Sequence, residues 1–199
     1  MAISAQDVKA LRDRTGAGMM ECKRALQETN GDLEAAVDLL RSRGAAKAAK
    51  RADKAANEGT IGSYVHFGGR IAVMVELNCE TDFVANTDDF QGLARDLAMH
   101  IAAANPLAVS SDEIPADVVE RERQVYLEQV KAEGKPEGLQ EKIVDGKLRK
   151  FFQETTLLQQ PYVKNPDQTV EALITSVAAK TGEKIEVARF ARFEVGQAG

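Results

Sequence analysis

Residues 71–86 read IAVMVELNCETDFVAN, and this stretch decides how the rest of the chain is organised. Its first half, residues 71–78, is a mostly apolar run of strand length, which predicts a strand buried on both faces. Thr81 and Asp82 then follow, and their side chains can turn the backbone through hydrogen bonds. Phe83 stands where a polar loop is expected. It is either an aromatic cap over the core or an exposed apolar anchor for a partner.

Two further segments have strand-like sequence. TIGSYVHF (60–67) precedes the opening stretch, and the Gly68-Gly69 pair between them predicts a hairpin turn. Near the other end of the chain, KIEVARFARFEVG (184–196) is rich in Val, Ile and Phe. Together the three segments predict a small three-stranded antiparallel sheet.

Helical periodicity fills the region between the second and third strands. Residues 88–104 carry apolar side chains at positions i, i+3, i+4, i+7 and i+11, which predicts an amphipathic helix. Three more helices are predicted over residues 115–133, 137–154 and 169–180, whereas LLQQPYVKNP (157–166) is expected to be irregular. The pair within 115–154 reads as an antiparallel hairpin with a short Gly/Pro turn. The order indicates the α+β class, with helices on one face of an antiparallel sheet.

Three short helices are predicted before the first strand. The first begins at Ser4, the second spans about residues 19–28, and the third begins at Asp32 and is expected to end at Gly44. Such a bundle resembles the ubiquitin-associated-like domains, which are interaction modules. We therefore divide the chain into a three-helix domain (1–44), a basic Ala/Lys-rich linker (45–58) and an α+β core (59–199).

The linker region is strongly basic. Within 41–55 a single acid, Asp53, accompanies six cations: Arg41, Arg43, Lys47, Lys50, Arg51 and Lys54. One interpretation is a stripe for nucleic acid. The other is a solvated linker with helical propensity. No aromatic residue is interleaved to stack on bases, which favours the linker, so we expect no direct nucleic-acid binding.

Bulk composition excludes several classes of protein. The 199-residue chain has a net charge of −5 and no apolar run near the roughly 20 residues that a membrane span needs, so we expect no membrane partner. The first residues lack the apolar stretch of a signal peptide, which predicts a cytoplasmic protein. Cys22 and Cys79 lie far apart and match no metal-ligand spacing, so we expect two reduced thiols and no bound metal.

No pattern of catalytic residues is present. The two histidines, His66 and His100, belong to no metalloprotease or nucleophile motif, and either a packing role or a partner-facing imidazole is open for both. The chain has no phosphate-binding loop and no dinucleotide fingerprint. We therefore expect no catalytic residues and no cofactor, and an interaction protein is the favoured class over an enzyme.

Five segments, taken in order, resemble the bacterial elongation factor Ts family. The longest is VKALRDRTGAGMMECKRALQETNGDLEAAVDLLRSRG (8–44), and the second is ELNCETDFVAN (76–86). DLAMHIAAANP (96–106), LLQQPYVKNP (157–166) and RFEVG (192–196) complete the match. Only one set of strands is readable here, so the chain resembles the short form of the family.

The resemblance implies a guanine-nucleotide exchange factor for elongation factor Tu, the GTPase that delivers aminoacyl-tRNA to the ribosome. In that family the TDFV segment displaces Mg²⁺ from the partner, which here points to Thr81, Asp82, Phe83 and Val84. Phe83 would insert as a wedge into the partner's GTPase domain, and Asp82 would perturb the surroundings of the metal. We therefore expect Phe83 to be substantially exposed in the free protein.

The resemblance also implies partner-binding positions elsewhere. Arg12, Met19 and Met20 match positions that contact the GTPase domain, and we include His100, which lies within the matching segment 96–106. Two adjacent methionines cannot both face one small core, so at least one is expected to be exposed. Met20 in the core remains an alternative for that residue.

Three further expectations follow. A single small sheet with an open edge can pair with a second copy, so we expect a homodimer or a 2:2 complex with elongation factor Tu. The hairpin 115–154 is expected to correspond to the family's protruding helical element. The alternative function is an adaptor with a ubiquitin-associated-like domain and no exchange activity.

Overall fold

The computed structural model describes residues 3–197; the outermost residues of the predicted domains 1–44 and 59–199 therefore lie outside it. Three helices come first: α1 (Ala5–Thr15), α2 (Met19–Glu28) and α3 (Leu33–Ala49). The core then begins with β1 (Glu58–Val65), β2 (Ile71–Cys79), α4 (Asp82–Ala85) and α5 (Asp88–Ala104). It continues with α6 (Ala116–Ala132), α7 (Glu137–Thr155), β3 (Pro161–Tyr162), β4 (Asn165–Thr169), α8 (Val170–Thr181) and β5 (Ile185–Glu194).

The three predicted strands form one antiparallel sheet in the order β1-β2-β5. Helix α5 packs across one face of β1 and β2, and α8 contacts β5. The predicted α+β class is confirmed. The hydrophobic core lies between this face and α5, where Val75, Leu77, Phe90, Leu97 and Ile101 are fully buried.

The prediction that β2 is buried on both faces is wrong. Val73, Val75, Leu77 and Cys79 are buried, whereas the alternating Met74 is 54% exposed. The reason is that helices pack on only one side of the sheet among the described elements. The apolar run therefore has one buried side, and its other side is an open apolar surface.

Gly62 lets α5 lie close against the edge strand. It is a buried position in β1, and a Cβ atom there would stand 2.4 Å from the backbone oxygen of Ala94. Only a residue without a side chain permits that separation. The glycine therefore sets the distance between the sheet and its covering helix.

The N-terminal helices form their own small core, as predicted. Ser4 and Asp7 make a reciprocal capping box at the start of α1, and Asp32 caps α3. The prediction that α3 ends at Gly44 is wrong, because the helix runs on to Ala49. Gly44 is buried instead where α3 crosses α8, and a Cβ there would lie 2.9 Å from the Cβ of Ala179.

The rest of the core agrees with expectation except in one segment. Helices α6 and α7 pack as the predicted hairpin around Val130, Val144 and Leu148. Residues 157–166, expected to be irregular, form a short 3-10 turn followed by the β3–β4 hairpin. Within residues 3–197 no helix has both the length and the apolar character needed to cross a bilayer.

Gly44→Val should destabilise the protein by about 1–3 kcal/mol, because the added side chain must push α3 away from α8. Urea unfolding followed by circular dichroism measures the change. The matched control is Gly146→Val on α7, where a Cβ meets nothing within 4 Å. It should stay within about 0.5 kcal/mol of the parent. Equal losses for the two variants would show that helix propensity, rather than close packing, is what Gly44 provides.

Candidate partner-docking site

The segment TDFV forms a single turn of helix, α4, between β2 and α5. Thr81 is its N-cap, and the hydroxyl oxygen of Thr81 accepts a hydrogen bond from the backbone N–H of Val84 at 3.4 Å. Successive residues of a helix point about 100° apart. Val84 and Ala85 consequently enter the main core, while Asp82 and Phe83 face outward.

So short a helix cannot satisfy its own carbonyl groups, and neighbouring side chains do so. The side-chain amide of Asn86 donates to the backbone oxygen of Asp82 at 2.8 Å. The hydroxyl of Thr87 donates to the backbone oxygen of Val84, also at 2.8 Å. Gln91 donates to the Ala85 oxygen at 2.7 Å. The turn is thus held along its whole length without help from the Phe83 ring.

The start of the turn is held by a carboxylate from a distant part of the chain. Glu183, in the connection between α8 and β5, accepts hydrogen bonds from the backbone N–H groups of Glu80 and Thr81 at 3.1 and 3.0 Å. Its second oxygen accepts from the Thr81 hydroxyl at 2.6 Å. One side chain therefore binds three donors of the turn.

A second carboxylate lies beside the first. Glu80 accepts two hydrogen bonds from the guanidinium of Arg51, at 2.7 and 2.8 Å, and one from the backbone N–H of Lys184 at 2.7 Å. The Arg51 hydrogen bond, followed by that of Lys184, lowers the pKa of Glu80 to about 2. Because the pKa is lower in the folded protein, the ionised Glu80 stabilises the fold. This contribution to the stability is fully present above the ordinary carboxyl pKa and is lost as the pH falls toward 2.

Phe83 is 82% exposed, so the expectation of a substantially exposed ring is confirmed. The alternative, a cap over the core, is excluded by that exposure. Asp82 is exposed beside it. Val84, which we placed with them, is buried against the sheet and anchors the turn instead of facing outward.

The predicted docking residues of the bundle are also at the surface. Met19 and Met20 open α2 and are 48% and 65% exposed, so the alternative that buried Met20 in the core is excluded. Arg12 is exposed on α1. Lys180 joins this region to α5, since its stem lies against Gly16 and its ammonium group bonds Asp89 at 2.6 Å.

His100 does not join these surface residues. The predicted partner contact is not compatible with its side chain, which is 0% exposed, and a packing role replaces it. Its Nδ1 accepts from the Val163 N–H at 3.3 Å, which leaves Nε2–H to donate to the Gln160 oxygen at 2.9 Å. His100 therefore faces the β3–β4 hairpin, to which Val163 belongs. Burial lowers the pKa of His100.

Several cations of the basic stretch are engaged within the protein. Arg43 pairs with Glu28 at 2.6 Å, Lys47 pairs with Glu21, and Arg51 pairs with Glu80. Both cysteines are buried free thiols.

The sequence does not reveal Glu183 and Arg51 as parts of the site. More than 100 residues separate Glu183 from Thr81, and no local pattern marks the contact.

Phe83 on its hydrogen-bonded turn and the two methionines at the start of α2 are apolar side chains that the structure exposes to solvent. Comparison with known sequences identifies the family. The sequence model of the family described as "Elongation factor TS" matches residues 18–197. The chain therefore belongs to the elongation factor Ts family.

Full-length relatives agree. The chain is 55% identical over 197 residues to elongation factor Ts of Syntrophus aciditrophicus (strain SB), covering 99% of this chain and 98% of that protein. It is 56% identical over 195 residues to that of Desulfosudis oleivorans, covering 98% of each. It is also 56% identical over 196 residues to that of Desulfotalea psychrophila, covering 98% of this chain and 100% of the other.

Stability should fall as the pH drops below about 6.5, because the unfolded chain protonates histidine near its ordinary pKa while buried His100 resists protonation. The contribution of this one group is at most about 1.4 kcal/mol per pH unit. Urea unfolding between pH 7.5 and 5 measures it. His100→Gln should flatten the slope, and His66→Gln, at an exposed histidine, should retain it. Identical slopes for the parent and His100→Gln would contradict this assignment.

Proposed function

We propose that this chain promotes GDP release from elongation factor Tu by presenting the Asp82–Phe83 turn to the partner's GTPase domain. Guanine-nucleotide exchange on elongation factor Tu, during translation elongation, is the function of the family to which the chain belongs. The observation that carries the mechanism is the exposed Phe83 ring on a turn whose backbone is already held. The adaptor alternative is not supported.

The chemistry of the partner explains how such a turn can act. A GTPase holds its nucleotide through a phosphate-binding loop and a Mg²⁺ ion, and Mg²⁺ demands near-octahedral coordination. An apolar ring that wedges apart the surrounding elements, with the carboxylate of Asp82 beside it, disturbs that geometry. Asp82 then alters the local charge and hydrogen bonding and need not become a metal ligand. No covalent bond is made or broken in this process.

Thermodynamic linkage sets the order of events. If this protein weakens GDP binding by some factor, GDP weakens the binding of this protein by the same factor. Exchange therefore passes through a nucleotide-free binary complex, and entering GTP releases the exchange factor. The bundle residues Arg12, Met19 and Met20 provide a second contact that keeps the partner bound during this step. The site of action is the cytoplasm, where elongation takes place.

The open side of the sheet supports a homodimer. Its apolar surface consists of exposed side chains from all three strands of the sheet: Ile61, Val65, Met74 and Phe193. The register places Ala72 between Val65 and Phe193, and Met74 between Ser63 and Ala191. Two copies can bury this surface face to face, as sheets do in sandwiches. This proposal replaces pairing at the sheet edge with packing of the sheet face.

Nucleic acid is not proposed as a partner, because half of the cations of the 41–55 stretch are paired with carboxylates of the chain itself.

A polar contact at the edge of the open apolar surface also fits the proposed homodimer. At one end of this surface, Glu76 and Arg189 form an ion pair at 2.7 Å across neighbouring strands. That pair gives the surface a polar rim, as interfaces commonly have.

Phe83→Ala should slow release of labelled GDP from elongation factor Tu by about 10- to 100-fold, because truncating a central aromatic anchor typically costs 2 kcal/mol or more. Stopped-flow fluorescence with catalytic amounts of this protein measures the rate, and Asp82→Ala should also slow it. Phe67→Ala is the matched control, since Phe67 is 97% exposed at the β1–β2 turn. Wild-type rates for both Phe83→Ala and Asp82→Ala would rule out the assigned mechanism.

Met74→Glu should convert the homodimer into a monomer, because it places a charge in the middle of the open sheet face, which the dimer would bury. Sedimentation equilibrium or light scattering at micromolar concentrations measures the mass. Leu139→Glu, at another half-exposed apolar residue but on α7, should leave the dimer intact. A monomeric parent protein under the same conditions would exclude the proposed interface.

A further inference from the structure

Helix α4 poses a mechanical problem for the proposed exchange mechanism. A wedge works only if its base does not yield, yet α4 is a single turn with two exposed residues at its start. A turn of this length has no stability of its own. Its rigidity must come from the side chains that bind its backbone groups, and the side chain that binds its first groups sets its direction.

Glu183 is the group that does so. Its carboxylate takes the N–H of Glu80, the N–H of Thr81 and the hydroxyl of Thr81, all within 3.1 Å. These donors lie immediately before Asp82 and Phe83. Hydrogen bonds to an ionised carboxylate are shorter and stronger than neutral ones. The three bonds therefore fix the direction in which α4 leaves β2.

Glu80, the residue before Thr81, makes the reciprocal contact with the segment that contains Glu183. Its carboxylate accepts hydrogen bonds from Arg51, in the stretch after α3, and from the backbone N–H of Lys184, the residue after Glu183. Lys184 in turn donates from its side chain to the Lys54 oxygen at 3.2 Å. The β2–α4 connection and the α8–β5 connection are thus linked in both directions. Glu183 binds the backbone of the first, and Glu80 binds the backbone of the second.

We propose that Glu183, supported by Glu80, is a positioning residue for nucleotide exchange that holds the Phe83 turn rigid while it enters the partner. This inference rests on the proposed function of Phe83. Glu183 itself does not touch the partner. Its effect is on the orientation of the ring and the Asp82 carboxylate, and displacement of a working group by about 1 Å can cost about 100-fold in rate.

The test is Glu183→Gln, which keeps the size of the side chain but replaces one acceptor oxygen by a donor. Amide hydrogen exchange should accelerate about tenfold or more at Glu80, Thr81 and Val84, with no change at the buried amides of β2. The saturating rate of GDP release should fall about 10- to 100-fold. The concentration of elongation factor Tu giving half the maximal rate should stay within about twofold, because the bundle contact is intact.

Glu186→Gln is the matched control. It removes the same charge three residues further on, from a carboxylate that pairs with Lys184 at 2.8 Å and makes no bond to the turn. It should exchange amides and release GDP like the parent. Arg51→Met offers a second variant in case Glu183→Gln fails to fold, and it should show smaller changes of the same kind.

Three results would overturn the proposal. One is GDP release at the parent rate by Glu183→Gln. Another is an equal loss in Glu186→Gln, which would assign the effect to net charge. The third is faster exchange throughout β2, which would mean a general loss of stability. If the parent protein itself does not accelerate GDP release, the proposed function fails; amide exchange confined to residues 80–84 would still separate a rigid joint from a loose one.

Discussion

Burial of one face of the three-stranded sheet beneath α5 is the constraint on which the rest of this structure depends. Val75 and Leu77 on β2 face Phe90 and Leu97 on α5 in a fully buried core. Because β2 and α5 are joined by only a few residues, their close packing leaves space for a single turn between them. That turn is α4, and Val84 is its contribution to the core. The outward direction of Phe83 follows from the inward direction of Val84.

The same one-sided burial leaves the other face of the sheet uncovered. A sheet face with Ile61, Val65, Met74 and Phe193 in water is a surface that lowers its free energy by finding a partner. The two docking surfaces that we propose therefore differ in kind. One is a flat apolar face suited to a second copy, and the other is an isolated ring on a held turn, suited to entering another protein.

Charged groups link the β2–α4 and α8–β5 connections, which the packing of the core brings together. Glu80 and Glu183 lie side by side at the end of β2, yet each has its own set of donors, drawn from Arg51 and from backbone N–H groups. The depressed pKa of Glu80, about 2, keeps this carboxylate ionised well below neutral pH. His100 shows the opposite case: it is held neutral in the core, with one nitrogen accepting and the other donating. Neither arrangement has a signature in the local sequence.

What the sequence by itself determined was local: helix and strand periods, the helix start at Ser4, the turn at Thr81 and the family resemblance of the TDFV segment. These depend on residues a few positions apart, so they can be read along the chain. Only the tertiary structure decided that Gly44 lies where two helices cross and not at a helix end, and that β2 is covered on one side. It also decided that His100 is buried and that Glu183 binds the backbone at the start of α4. Each of these depends on contacts between segments distant in the chain, and the packing of the whole core brings them together.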